Sequence, residues 1–403
     1  MQFVILCAGN GTRMEPLTSK QKDDHSMSKV MIPIANSPAI EWTLEKINGD
    51  VIIVANKNQQ DLIEFAQSHE LKIVYQEKPS GTADAILAAE ECLAAKGGGS
   101  FFDNEFVCIN GDESFDRKEI KKFSNQPAYT IGVSRVDNPE KFGIWSIEDD
   151  KLTGIEEKSK SPKSNLANAG LYKLDKKIFD YIRKTPVNKA RKEKEITDTF
   201  NLMIKNGVEF KHFTVETWKT LSYPWHILEM NKRVLDEHGN MIGKNVEIRP
   251  GAYIEEPVAI GDNSIIGPNC FVRKYSSIGK NCRIGNAVEI KNSIIMDYSY
   301  VNHLSYVGDT IIGKNCNIGA GTIFANLRLD DKPIKMNIKG DRIDSGLRKI
   351  GGIVGHNVKF GVNITVMPGK KIWNDLMIPA CILIDNDIEK QPRLKIKKSR
   401  RSL

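Results

Sequence analysis

No segment of this 403-residue sequence approaches the run of about 18 apolar residues that a bilayer-spanning helix requires, so a membrane partner is not expected. The opening Met1–Ala8 stretch is apolar, but no basic region precedes it and it runs directly into Gly9-Asn10-Gly11. It therefore reads as a first buried strand and not as a signal peptide. Paired cysteines are missing too. Cys7, Cys92, Cys108, Cys270, Cys282, Cys316 and Cys381 are seven in number, scattered, and never in a Cys-x-x-Cys spacing. That argues against a zinc site and a disulfide framework, and it fits a reducing cytoplasm. An overall excess of positive charge is also lacking once the tail is set aside. The formal net charge is +7, and residues 390–403 alone hold seven Lys/Arg and no acid. A solvated terminus is the plain reading of that tail, which gives no sufficient ground for a nucleic-acid partner.

What is present divides the chain. Its length exceeds that of a typical single domain, so two are expected, and an apolar content of 40% is ordinary for a globular protein. Short apolar runs at Phe3–Ala8, Val51–Ala55, Leu71–Tyr75, Phe106–Asn110 and Tyr129–Val133 alternate with helical spacing at Gln60–Ser68 and Ala83–Leu93. Alternation of this kind predicts an α/β layer fold with a largely parallel sheet. A helix is expected near Pro224–Asp236, stopped at His238-Gly239.

Beyond it the period changes to six. Ile242, Ile248, Ile254, Ile260, Ile266, Val272, Ile278, Ile284 and Ile290 form an unbroken series, resumed after slips at Ile295, at Ile312 and at Val354. Neither a helix nor a hairpin has that period. A solenoid of short parallel strands does, with three hexads per triangular coil, the aliphatic residue pointing inward and small residues turning the corners. Residues 327–349 interrupt the series with a charged insertion, expected to project as a loop.

After the first strand, Leu6 to Met14 reads Leu-Cys-Ala-Gly-Asn-Gly-Thr-Arg-Met. Two glycines bring backbone N–H groups close to a phosphate, and Arg13 supplies charge where a pyrophosphate would leave. The loop lacks the third glycine of a dinucleotide fingerprint and the Gly-Lys-Ser/Thr of a P-loop. Taken with Lys29-Val30, Gln76, Gly81-Thr82-Ala83-Asp84-Ala85, Gly111-Asp112, Phe142-Gly143, Glu157-Lys158 and Asn168-Ala169-Gly170, it resembles the sugar-1-phosphate nucleotidylyltransferases. The resemblance implies a Rossmann-like nucleotidyltransferase domain that places Ala8, Gly9 and Gly11 on the nucleotide. It also places Gln76, Gly81 and Thr82 on the base, and Gly143, Glu157 and Asn168 on the sugar. Arg13 and Lys29 would serve the reacting phosphates, with Asp112 a ligand of Mg²⁺. In-line attack on an α-phosphate needs positive charge and positioning more than an acid or base. One position departs from the pattern. Related enzymes carry Trp-x-Asp where this chain has Trp218-Lys219-Thr220, and a neutral hydroxyl is a poorer Mg²⁺ ligand than a carboxylate. Either Asp112 and the nucleotide phosphates hold the ion alone, or another residue substitutes, or this half is slow or inactive.

A second block, Asn302-His303-Leu304-Ser305-Tyr306-Val307-Gly308-Asp309 followed by Asn317-Ile318-Gly319-Ala320-Gly321-Thr322, is similar to the left-handed β-helix acetyltransferase domain of a bifunctional family. That family comprises the N-acetylglucosamine-1-phosphate uridylyltransferase/glucosamine-1-phosphate acetyltransferases. Arg273, Lys291, Asn326 and Lys332 match in spacing. A sugar amine attacks a thioester only when neutral, and an imidazole can take its proton, which makes His303 the expected general base. Arg273 and Lys291 would neutralise the sugar phosphate, Tyr306 and Asn317 orient the sugar, and Asn326 position the amine or acetyl group. Lys332 is placed with them by spacing. The other histidines (His25, His69, His212, His226, His238, His356) are read as structural or surface groups.

The expected layout is a nucleotidylyltransferase domain at 1–226, a linker helix at 227–241, a β-helix at 242–389 and a basic tail at 390–403. The expected function is synthesis of UDP-N-acetylglucosamine in the cytoplasm from glucosamine-1-phosphate, with acetyl-CoA and UTP as co-substrates and Mg²⁺ as cofactor. The resemblance also implies a homotrimer. The alternatives are a glucose-1-phosphate-type nucleotidylyltransferase whose β-helix only assembles or regulates, and a non-catalytic sugar-nucleotide sensor.

Overall fold

The N-terminal apolar runs become the centre of a mixed sheet in the computed structural model, which describes residues 1–23, 25–78, 80–94, 105–189 and 191–392. From residue 393 on, the expected basic tail lies outside the described residues. The sheet is built from β1 (Gln2–Leu6), β2 (Asp50–Ala55), β3 (Lys72–Tyr75), β4 (Glu105–Asn110), β5 (Thr130–Arg135), β6 (Gly143–Glu148), β7 (Lys151–Glu157), β8 (Leu166–Asp175) and β9 (Lys211–Thr214). Its order is β7-β6-β8-β4-β1-β2-β3, with β5 paired to β8 and β9 to β5. Strands β3, β2, β1 and β4 run parallel; β2, β1 and β4 are largely buried on both faces, as their continuous Val/Ile content requires, and the edge strand β3 is half-buried, with Tyr75 exposed. Strand β9 also runs parallel to β5, but the rest of the sheet is antiparallel. Strands β6 and β7 are joined by Asp149-Asp150 alone, both with positive φ (46° and 63°), and a two-residue hairpin of that kind makes its strands antiparallel. Strand β8 is antiparallel to β4, β5 and β6. The predicted helix at 83–93 is two pieces, Thr82–Ala88 and Glu90–Ala94.

The contacts separate two compact units: residues 1–10, 28–31 and 38–220 in the first, and 11–27, 32–37 and 221–403 in the second. The second unit opens its C-terminal part with helix Pro224–His238, which starts on proline and is followed by Gly239 at φ 72°. The helix buries Asn231 completely and satisfies it: Oδ1 accepts from Ala35 N–H (2.8 Å) and Ser277 Oγ (2.7 Å), and Nδ2 donates to the Tyr275 carbonyl (2.8 Å).

The six-residue period then becomes a left-handed parallel β-helix of three seven-stranded sheets, each coil giving one two- to four-residue strand to each sheet. From Ile260 through Ile384 the inward aliphatic and aromatic positions are buried and form one continuous core. The first coil differs. Ile242 and Ile248 are 49% and 52% exposed, since a terminal coil has a stacking neighbour on one side only. Corners are turned mainly by asparagines in the left-handed region, among them Asn245, Asn263, Asn281, Asn315, Asn357 and Asn363. Glycine serves a different end: a Cβ on Gly261 would stand 2.6 Å from the backbone of Gly279 in the next coil. The 327–349 insertion carries a hairpin, Lys335–Ile338 with Asp341–Asp344, and it buries Ile334, Met336 and Ile338, so it is a packed flap.

Candidate active sites

In the first unit, the loop after β1 is held from beneath. Asn56 Nδ2 donates to the Ala8 carbonyl (2.9 Å) and Gln59 Nε2 to that of Cys7 (2.8 Å). A Cβ on Gly9 would meet no protein atom within 4 Å, so glycine there leaves space that the protein does not fill. Lys29, on a 3₁₀ turn, bonds its ammonium to the Asp112 carboxylate, and both side chains remain about one-fifth exposed. Gln76 is buried and donates to the Gly81 carbonyl (2.9 Å). Gly81 has φ 112°, and a Cβ would strike the Lys194 carbonyl at 2.3 Å, so both conformation and space demand glycine. Thr82 Oγ1 donates to Glu195 (3.0 Å) and accepts the Ile196 N–H (2.9 Å). Gly143 and Glu157 are cross-strand partners, and the glycine admits the Glu157 carboxylate, whose pKa burial raises against the opposing pull of Arg191. Asn168 donates to the Tyr172 hydroxyl (2.9 Å) and keeps a buried Oδ1 with no protein partner.

In the second unit, Gly11 has φ 63° and leads into the 3₁₀ turn Thr12–Met14, where the Arg13 guanidinium lies 5.9 Å from the Tyr223 ring centre. On the β-helix, Arg273 and Lys291 each follow the inward residue of consecutive coils in one sheet. Asn292, Asp309 and Asn326 occupy the same corner of three successive coils. Asp309 is buried there and gathers the cluster. It accepts from Lys291 Nζ (2.7 and 2.9 Å), from Asn292 Nδ2 (2.8 Å) and from Asn326 Nδ2, and Asn326 also donates to the Tyr306 hydroxyl (3.1 Å). Burial raises the pKa of Tyr306, which keeps its hydroxyl a neutral donor. Arg273 pairs with Glu289 (3.3 Å) and lies 3.7 Å from Glu255. His303 ends the strand Tyr300–His303 with its side chain exposed, and Leu304, at φ 49°, turns the chain after it. Asn317 lies one coil further in the same sheet as His303, and Lys332 is exposed on the flap.

Comparison with known proteins now adds to this geometry. The sequence matches the nucleotidyl transferase family over residues 2–237 and the GMPPB C-terminal domain over residues 254–344. It is 39% identical to the bifunctional protein GlmU of Methanocaldococcus jannaschii, across 96% of each chain. The chain belongs to the bifunctional GlmU family. Its GlmU relative in Methanococcus maripaludis is 40% identical, again over 96% of each chain. A bifunctional sugar-1-phosphate nucleotidylyltransferase/acetyltransferase of Sulfurisphaera tokodaii is 36% identical over 96% of this chain and 98% of its own.

For a GlmU family member the structure groups the expected residues unevenly. Lys29 meets Asp112, Gln76 meets Gly81, and Gly143 meets Glu157, while Lys291, Tyr306 and Asn326 converge through Asp309. Among the described residues, His303, Asn317 and Lys332 stand outside that hydrogen-bonded network. Two residues were not singled out from sequence. Asp309 closes the Asn302–Asp309 block, where its residue type alone gives it no role. Glu113, 8% exposed, accepts from Trp218 Nε1 (2.6 Å) and Thr220 Oγ1 (3.2 Å), and burial with Asp112 nearby raises its pKa. The donor chemistry at Asp112 suits Mg²⁺. Its carboxylate is a hard oxygen ligand, and it already holds a cation, the Lys29 ammonium. Among the described residues no group of three or more His, Cys, Asp or Glu is placed to hold a metal.

Proposed function

We propose that this chain is a cytoplasmic enzyme that makes UDP-N-acetylglucosamine in two steps. In the first, the amine of glucosamine-1-phosphate attacks the acetyl-CoA thioester; an amide bond forms, the C–S bond breaks, and the coenzyme A thiol leaves. His303 takes the amine proton, and Lys291 and Arg273 face the sugar phosphate. Asp309 engages Lys291 and Asn326 together, which fixes the ammonium and the amide before substrate arrives. In the second step, a phosphate oxygen of N-acetylglucosamine-1-phosphate attacks the α-phosphorus of UTP and pyrophosphate departs. Lys29 and Arg13 balance the charge, the loop at Ala8, Gly9 and Gly11 holds the phosphates, and Gln76, Gly81 and Thr82 receive the base. Gly143, Glu157 and Asn168 receive the sugar, with the unpartnered Oδ1 of Asn168 available to a hydroxyl. Mg²⁺, held by Asp112, supplies further positive charge at the phosphates when bound.

The observation that carries this reading is the Asp309 cluster. A β-helix serving only assembly has no need of a buried carboxylate aligning a lysine and an asparagine beside a tyrosine hydroxyl. A homotrimer is part of the proposal, supported by outward apolar side chains on one flat sheet, Tyr253, Ile323 and Leu383.

The test measures pyrophosphate release from UTP and N-acetylglucosamine-1-phosphate with Mg²⁺, and thiol release from acetyl-CoA and glucosamine-1-phosphate. Wild-type protein is expected to show both, Asp112→Ala only the second. A protein with no thiol release would reduce the reading to a nucleotidylyltransferase alone.

A further inference from the structure

The aspartate that related enzymes place two residues after Trp218 is Thr220 in this chain, and the structure shows what stands against it. Glu113–Ser114 and Lys219–Thr220 form a short antiparallel pair, with Thr220 directly opposite Glu113. Directly opposed residues present their side chains on the same face, and here the two touch: Thr220 Oγ1 donates to Glu113 Oε1 at 3.2 Å. A carboxylate oxygen therefore lies within one hydrogen bond of the atom that replaces the missing carboxylate. It also belongs to the residue next to Asp112.

The surroundings of Glu113 point to a cation. The residue is 8% exposed, and its hydrogen bonds come from two neutral donors, the Trp218 indole at 2.6 Å and the Thr220 hydroxyl. The nearby ammonium of Lys29 is bonded to Asp112. A buried carboxylate held by neutral donors carries a desolvation cost that a divalent ion would offset. An aspartate at 220 would set two carboxylates against each other across the strand pair, whereas threonine offers the glutamate a donor. The pair thus keeps one acid, moved to the opposite strand.

We propose that Glu113 supplies the second protein carboxylate for the divalent ion, in place of the aspartate absent at position 220. The proposal rests on the nucleotidylyltransferase reading above. Its test is Mn²⁺ binding to the full-length protein in the presence of UTP without sugar phosphate, followed by the electron paramagnetic resonance signal of free Mn²⁺. Glu113→Gln is near-isosteric: its amide oxygen still accepts from the Trp218 indole, and its amide nitrogen donates to the Thr220 hydroxyl, which reverses that bond. It is expected to weaken Mn²⁺ binding roughly tenfold or more. Trp218→Phe removes a hydrogen bond and leaves the carboxylate, so it should keep wild-type affinity. Adding Thr220→Asp to Glu113→Gln should restore binding, and this double variant decides the matter if the single one does not fold. Wild-type affinity in a folded Glu113→Gln protein, or failure of the double variant to bind, overturns the assignment and leaves Glu113 an anchor for Trp218. No Mn²⁺ binding by wild-type protein with UTP would overturn the nucleotidylyltransferase reading as well.

Discussion

At the scale of single residues, the proposed acetyl-transfer site is organised by a group placed behind the residues that would meet the substrate. Asp309 spends its two oxygens on Lys291, Asn292 and Asn326, so in the proposed site it acts as a positioning residue. Replacing it by asparagine keeps the corner's shape and removes the charge that holds the ammonium. Displacing a positioned group by about an ångström can cost a factor on the order of 100. Asp309→Asn is therefore expected to lower kcat/KM for glucosamine-1-phosphate about 100-fold, with pyrophosphate release from UTP unchanged. Steady-state kinetics of both reactions on one preparation checks this. An acetyl-transfer rate within twofold of wild type would make Asp309 a corner residue and nothing more. Neither Asp309 nor Glu113 was legible as a site residue in the sequence, for related reasons. Asp309 acts across the stacking of coils, on residues 17 and 18 positions away, and Glu113 acts across a strand pair on a residue 107 positions away. Their partners become visible only when strand register is known.

At the scale of elements, the β-helix was the most legible part of the chain, because one inward residue per hexad writes its period directly into the sequence. The first domain's sheet was half legible. Strands buried on both faces announce themselves as apolar runs, but the direction of a strand depends on its connection, and Asp149-Asp150 has neither the glycine nor the asparagine that marks a two-residue hairpin turn. The grouping of residues 11–27 with the β-helix was not legible at all. It rests on contacts such as Asn374 Nδ2 to the Ser19 carbonyl (2.9 Å) and His356 Nε2 to the Leu17 carbonyl (2.8 Å), 339 positions apart in the second case. His356 is buried and neutral: Nε2–H donates to Leu17 while Nδ1 accepts the Lys314 N–H (3.0 Å). Burial pushes its pKa down to about 4 from 6.5, aided by Lys314 and opposed by its bond to Leu17 and by Asp375. The unfolded chain therefore takes up a proton that the folded one refuses between those values. The stability from this residue is complete above about pH 6.5 and falls away as the pH drops toward 4, by about 2 kcal/mol at pH 5. Urea midpoints at pH 7.5 and pH 5 should show that loss in wild-type protein and a smaller one in His356→Gln. Equal losses in the two would mean that other groups set the acid sensitivity.

At the scale of the whole molecule, the two reactions use residues on different strands and loops, and the product of one is the substrate of the other. N-acetylglucosamine-1-phosphate is a small anion able to diffuse through solution from one site to another, so the two activities are expected to be separable. On the proposed assignment, His303→Ala lacks the base for acetyl transfer, and Asp112→Ala lacks the metal carboxylate for uridylyl transfer. Starting from glucosamine-1-phosphate, acetyl-CoA, UTP and Mg²⁺, neither variant alone should form UDP-N-acetylglucosamine. Loss of a positioned base costs a factor on the order of 10²–10⁴. The two mixed should form it at a rate that rises with the concentration of either. Adding N-acetylglucosamine-1-phosphate should rescue His303→Ala by itself and leave Asp112→Ala silent. Chromatographic quantification of the UDP-sugar in the five assays distinguishes the cases. A mixture as inactive as its components, with each variant still active in its own remaining half-reaction, would mean that the intermediate does not pass through solution, and that each chain must carry both reactions through to the end.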